Sequence, residues 1–194
     1  VIENSSKESE TEIKSINLNL PLSDSKSIYY NSNIDIKNEL INELHLKKVI
    51  NQSEFFTDIT SYQTLMNFII NYEIDEKVIQ GSPIGNFAKK LNINFYKLLV
   101  DSNLINTYKN LFKELNIHIA NLVPTPLSSS LAVLYPDDQD LGSIIIDLGE
   151  SSTSLAIFEN KKLFFCDSIN IGSKHITNDI ARGISTTKES AERL

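Results

Sequence analysis

Between Ile144 and Phe158 an aspartate, Asp147, and a glycine, Gly149, open a short polar turn; the hydroxyls of Ser152 and Thr153 close it, and an apolar run flanks each side. These residue types suit an anion. Backbone N–H groups in a tight turn can close on a phosphate, hydroxyls add donors, and a carboxylate just before them can manage a divalent metal. A plain hairpin turn has the same pattern. Glu150 works against the phosphate reading, because a carboxylate about 4 Å from a phosphate charge costs ~4 kcal/mol at an effective dielectric of 20. It must point away, meet the metal, or mark a weakened site.

Other chemistry-bearing groups are weaker candidates. His175 and Asp179 have i, i+4 spacing, but two ligands do not make a metal site; the histidine reads as a helix-start residue and the aspartate as favourable near the helix dipole. Ser128, Ser129 and Ser130 lack the glycine frame of a nucleophile elbow and read as small residues at a tight helix contact. Asp137, Asp138 and Asp140 do not follow calcium-loop spacing and read as solvated charges. Cys166, the single cysteine, lies in an apolar strand with no basic neighbour and reads as a small buried hydrophobe; it excludes an intramolecular disulfide.

The elements that must carry the turn follow from periodicity. "SIIIDL", "SLAIF" and "LFFCDSINI" predict three successive strands; "HITNDIARGI" predicts a helix, and Thr186 with Glu189 a capping box for the next one. Upstream, Leu104, Ile105, Tyr108, Leu111, Phe112 and Leu115 form one stripe of an amphipathic helix with Ser102 near its start. A short strand over 117–119, a small helix over 129–134 and an acidic loop "PDDQD" follow it. Earlier still, "SINLNLPL" and "IYYNSNIDI" alternate as strands, and the "SDSK" between them makes an antiparallel hairpin the simplest connection. Asn42 caps a helix bearing Leu46, Val49 and Ile50. "TLMNFIINYEI" and "LNINFYKLLV" are further strands, separated by a loop with Gly81, Pro83 and Gly85. Residues 3–12 are nearly all polar and read as a tail or linker.

Composition sets the limits. With 194 residues and 41% hydrophobic content, one or two domains are expected. The formal charge of −7 and scattered lysines and arginines argue against nucleic acid. No apolar run approaches the roughly 20 residues of a membrane span. The chain opens at Val1 and stops at Leu194 inside a helical pattern, which suggests a piece of a longer protein.

"LVPTPLSSSLAVLYPDDQDLGSIIIDLG", the strand pair after it, and "INIGSKHITNDIARGISTTKESAERL" together resemble the FtsA family, the bacterial cell-division actin homologues; "GSPIGNF" and the helical stripe extend the resemblance upstream. It implies an actin-like, ribonuclease-H-like ATPase fragment of mixed α+β and α/β class. Residues 13–100 would be the inserted antiparallel α+β subdomain, 101–141 the return to the first actin-like domain, and 142–194 the start of the second. In the family's second phosphate loop Asp147, Gly149, Ser152 and Thr153 match. Glu150 and Ser151 replace usual glycines, and Ser154 a common aspartate. Glu192 matches a glutamate that approaches the nucleotide's ribose; an exposed helix glutamate is the alternative identity.

The resemblance further implies ATP and Mg²⁺ as cofactors of the intact protein, with none bound by this piece more tightly than about millimolar. It implies self-association and attachment of the tubulin-like division protein FtsZ through a part outside this chain. Residues 13–100 would meet other division proteins, and a C-terminal helix outside this chain would reach the inner face of the cell membrane at the division site. A scaffold without nucleotide chemistry, or a pilus-assembly actin homologue sharing the insertion, is the alternative.

Overall fold

A computed structural model describes residues 2–22, 24–54 and 61–194. The chain forms two compact units, one of residues 1–25 with 104–194 and the other Lys26–Asn103. The polar N-terminal stretch, expected as a tail, carries a seven-residue helix α1 (Ile2–Glu8) with no buried residue. After it comes β1 (Ser15–Leu20).

The second unit is an antiparallel sheet backed by one helix. β2 (Ser25–Leu40) leads to α2 (Glu43–Glu54); β3 (Tyr62–Ile74), β4 (Lys77–Ile79) and β5 (Phe87–Asp101) complete the sheet in the order β2-β5-β3-β4. Asn42 caps α2 as its side chain predicts, its Oδ1 accepting from the His45 N–H at 3.1 Å. Alternation puts Ile34, Ile36, Leu91, Ile93 and Phe95 on one face, where Val49, Leu46 and Ile50 of α2 cover them. The short β4 was not anticipated. Asp75 and Glu76, both at positive φ, make the turn that pairs it with β3.

Helix α3 (Ser102–Glu114) follows, with Ile105 buried. Then comes β6 (His118–Pro124), longer than the three residues expected. β6 pairs in parallel with β1, so the expected hairpin between the first two strands does not form. Alternating residues suit either partner; here Leu18 meets Leu122, and the amide of Asn121 donates to Asn17 Oδ1 at 2.8 Å. The compact unit that holds β2 to β5 starts at Lys26, and β1 lies in the other unit.

α4 (Thr125–Val133) begins four residues before the sequence expectation, with Pro126 in its first turn. The acidic segment expected as a loop is α5 (Pro136–Leu141). Pro136 presets the first turn, and Asp138 accepts the Tyr135 N–H at 3.0 Å, so the acidic residues stabilise a helix start. Its Asp140 pairs with Lys161 at 3.3 Å.

β7 (Ser143–Leu148), β8 (Thr153–Glu159) and β9 (Lys162–Ile169) form the expected antiparallel meander. Asn160 and Lys161 at positive φ give the two-residue β8–β9 turn. α4 lies against all three strands, over buried Ala156, Phe158 and Cys166. The chain ends in α6 (Ser173–Gly183) and α7 (Lys188–Ala191). Thr187, not Thr186, caps α7 through the Ser190 N–H at 3.2 Å, and Glu189 pairs with Arg193.

Candidate phosphate-binding site

Asp147 is the next-to-last residue of β7, and β7 pairs with β8 through Leu148 opposite Thr153. Four residues bridge the strands. The Gly149 N–H donates to the Ser152 carbonyl at 2.9 Å and closes the turn. Among the described residues, no hydrogen bond engages the N–H groups of Glu150, Ser151 or Ser152. Three successive unpaired amides on a tight turn form the concavity that suits an anion.

The loop's carbonyls are committed. Gly149 C=O accepts from the Ser173 N–H and Glu150 C=O from the Lys174 N–H, each at 3.0 Å. The first amides of α6, ordinarily orphaned, are thereby satisfied by the turn. Gly172 makes this approach possible. A Cβ on it would lie 2.4 Å from Gly149 O and 2.5 Å from Glu150 O. The Gly172 N–H donates to His175 Nδ1 at 3.1 Å, so the histidine serves the helix start. Among the described residues no cluster of three metal-ligating side chains is present.

Ser129 holds Asp147. Its Oγ donates to Asp147 Oδ2 at 2.7 Å, whereas Ser128 and Ser130 bond to carbonyls of their own helix, Thr125 and Pro126. The expectation that all three serines are packing residues is therefore right for Ser130, which is buried, and incomplete for Ser129. A neighbouring cavity of about 140 Å³ is lined by Asp147, Gly149 and Ser152 and by the hydroxyl residues Thr125, Ser154 and Ser168. Thr153 is turned elsewhere. Its hydroxyl donates to the Ile171 carbonyl at 2.7 Å.

On the other side of the turn lies a larger cleft of about 400 Å³, lined by Glu150, Lys174, Thr177, Lys188 and Glu192 among others. Its size is that of a small-molecule site. The Thr177 hydroxyl donates to Glu192 Oε2 at 2.6 Å, bringing Glu192 to the same cleft as the turn, fifteen residues from its partner. Ser129, Gly172 and Lys174 were missed by sequence reasoning. A glycine at the junction of a strand and a helix was the one available signal for Gly172.

The family model described as Cell division protein FtsA matches residues 144–194, the segment that contains the turn, α6 and Glu192. The cell division protein FtsA of Rhizobium meliloti (strain 1021) is 28% identical over 182 residues, covering 94% of this chain and 41% of that protein. That of Bacillus subtilis (strain 168) is 38% identical over 78 residues, 40% of this chain and 18% of its own. The chain thus spans about two fifths of the length of the relatives it matches most broadly. Among solved structures, a PilM–PilN type IV pilus biogenesis complex covers 97% of this chain and 52% of its own with a TM-score of 0.60. At 13% identity that likeness shows the fold alone.

Proposed function

We infer, for a chain that belongs to the FtsA family of cell-division proteins and has its actin-like fold, that the whole protein binds ATP with Mg²⁺ at the β7–β8 turn. The observation that carries this reading is the row of three unpaired amides, Glu150 to Ser152, beside the carboxylate of Asp147. These amides and the Ser152 hydroxyl would receive phosphate oxygens. Asp147, oriented by Ser129, would hold the cation, directly or through water. Mg²⁺ bound there would supply charge neutralisation at the phosphates. Glu192, braced by Thr177, would face the ribose. Gly149 keeps the turn tight, and Thr153 acts by tying β8 to the chain that leads into α6.

On the same reading the whole protein polymerises and links the tubulin-like protein FtsZ to the cytoplasmic face of the membrane at the division site. The unit Lys26–Asn103 serves as the surface for other division proteins. Calorimetric titration of the whole protein with Mg-ATP tests the nucleotide site. Micromolar binding that Asp147→Ala weakens at least tenfold is expected; no binding would leave a scaffold without nucleotide chemistry. The chain by itself holds one side of the site and is expected to bind no better than about millimolar, or about 4 kcal/mol.

A further inference from the structure

Glu150 is an awkward residue for a phosphate-binding turn, and the cleft beside it contains an answer. Lys174 follows the docked start of α6, its N–H anchored to the Glu150 carbonyl at 3.0 Å, and both residues line the same cleft of about 400 Å³. Among the described residues Lys174 forms no ion pair, and neither does Glu150. Helix energetics do not account for the lysine. A cation in the first turn of a helix is opposed by the macrodipole by a few tenths of a kcal/mol or more. Nor is the helix end itself the anion site, because its first amides are spent on the carbonyls of Gly149 and Glu150. The remaining cation of the cleft, Lys188, lies on α7.

We propose that Lys174 is a specificity-determining residue of the nucleotide site: its ammonium offsets Glu150 and lets the turn accept the phosphate end of ATP despite that glutamate. The inference rests on the nucleotide reading above. Because the Lys174 N–H is tied to the Glu150 carbonyl, the two backbones move together with the turn and carry both side chains at the same cleft. The pair then contributes no net charge to the cleft, and the amides meet the phosphates in a field close to that of a glycine turn. A lone Glu150 would repel them.

The test is a double-substitution cycle in the whole protein, read by calorimetric titration with Mg-ATP at low and high salt, with thermal melting of each variant without nucleotide as a control for folding. Lys174→Ala is expected to weaken binding about tenfold, and Lys174→Arg to retain it. Glu150→Gly alone should tighten binding about tenfold, since it leaves the Lys174 ammonium unopposed beside the phosphates. Added to Lys174→Ala it should recover most of the tenfold loss. The loss should shrink as salt rises. An unchanged affinity in Lys174→Ala with normal melting, or an unchanged affinity in Glu150→Gly, would overturn the role of Lys174 while leaving the nucleotide site standing. Absence of Mg-ATP binding in the unsubstituted protein would overturn both.

Discussion

Gly172→Ala isolates the contact on which the turn and α6 depend. The alanine Cβ would lie 2.4 Å from Gly149 O, 2.5 Å from Glu150 O and 2.6 Å from the Glu150 carbonyl carbon, all backbone atoms with no rotamer to yield. Relief to an ordinary 3.4 Å contact requires a shift of about 1 Å, because 3.4 − 2.4 = 1.0. Bonds of 3.0 Å from the Ser173 and Lys174 amides would then stretch toward 4 Å, beyond hydrogen-bonding range. Overpacking costs about 1–3 kcal/mol, and each lost bond about 0.5–1.5 kcal/mol. The structure cannot suffer both in full, since moving the turn away trades one for the other, which leaves about 2–4 kcal/mol. At 1.4 kcal/mol per decade, exchange of the Ser173 and Lys174 amides should quicken by roughly 30-fold or more. Hydrogen exchange measured across α6 reads this directly. Gly183→Ala is the matched comparison: its Cβ meets nothing within 4 Å, and helix propensity predicts a neutral effect or a gain of up to about 1 kcal/mol. Unchanged protection at Ser173 and Lys174 in Gly172→Ala would refute the idea that this glycine docks the helix on the turn.

Further outcomes can be measured on the same protein. Ser129→Ala removes a 2.7 Å donor from the Asp147 carboxylate; in the whole protein it should raise the Mg²⁺ concentration needed for nucleotide binding several-fold, and an unmoved Mg²⁺ midpoint would show that the bond is only structural. Ile144, Ile146 and Leu148 alternate along β7 with 63%, 62% and 76% of their surfaces exposed, an apolar stripe on one face of the sheet. The chain alone should therefore self-associate, with Ile146→Lys lowering its light scattering; a monodisperse unsubstituted chain would contradict this. Burial raises the phenol pKa of Tyr72 above its usual 10.0. The folded state thus keeps a proton that the unfolded chain releases, so this contribution is full below about pH 10 and is lost as pH rises through the folded value. Tyr72→Phe should lose less thermal stability than the unsubstituted chain between pH 8 and 11, and parallel losses would count against the burial argument.

Local pattern was enough for the meander β7–β8–β9, for α2 with its Asn42 cap, and for the turn carrying Asp147, Gly149 and Ser152. Each depends on neighbours in sequence: alternation, a capping side chain, a polar break between apolar runs. Partner choice was not local. Ser15–Leu20 alternates as a strand, yet nothing in six residues states whether the next strand or one a hundred positions away will pair with it, and the fold gives it β6 in parallel. Asp137, Asp138 and Asp140 keep the solvated character their sequence suggests, but the fold winds them into a helix rather than a loop and sets Lys161 beside Asp140. At the site the division has the same origin. The donor-bearing turn is contiguous, so its residues were legible. Its support was not, because Ser129 reaches Asp147 across eighteen positions and Thr177 reaches Glu192 across fifteen. Gly172 admits the turn at a distance no side chain would allow. Sequence determined which groups make up the polar turn; only tertiary structure decided what orients them, because the orienting contacts join segments that the chain keeps apart.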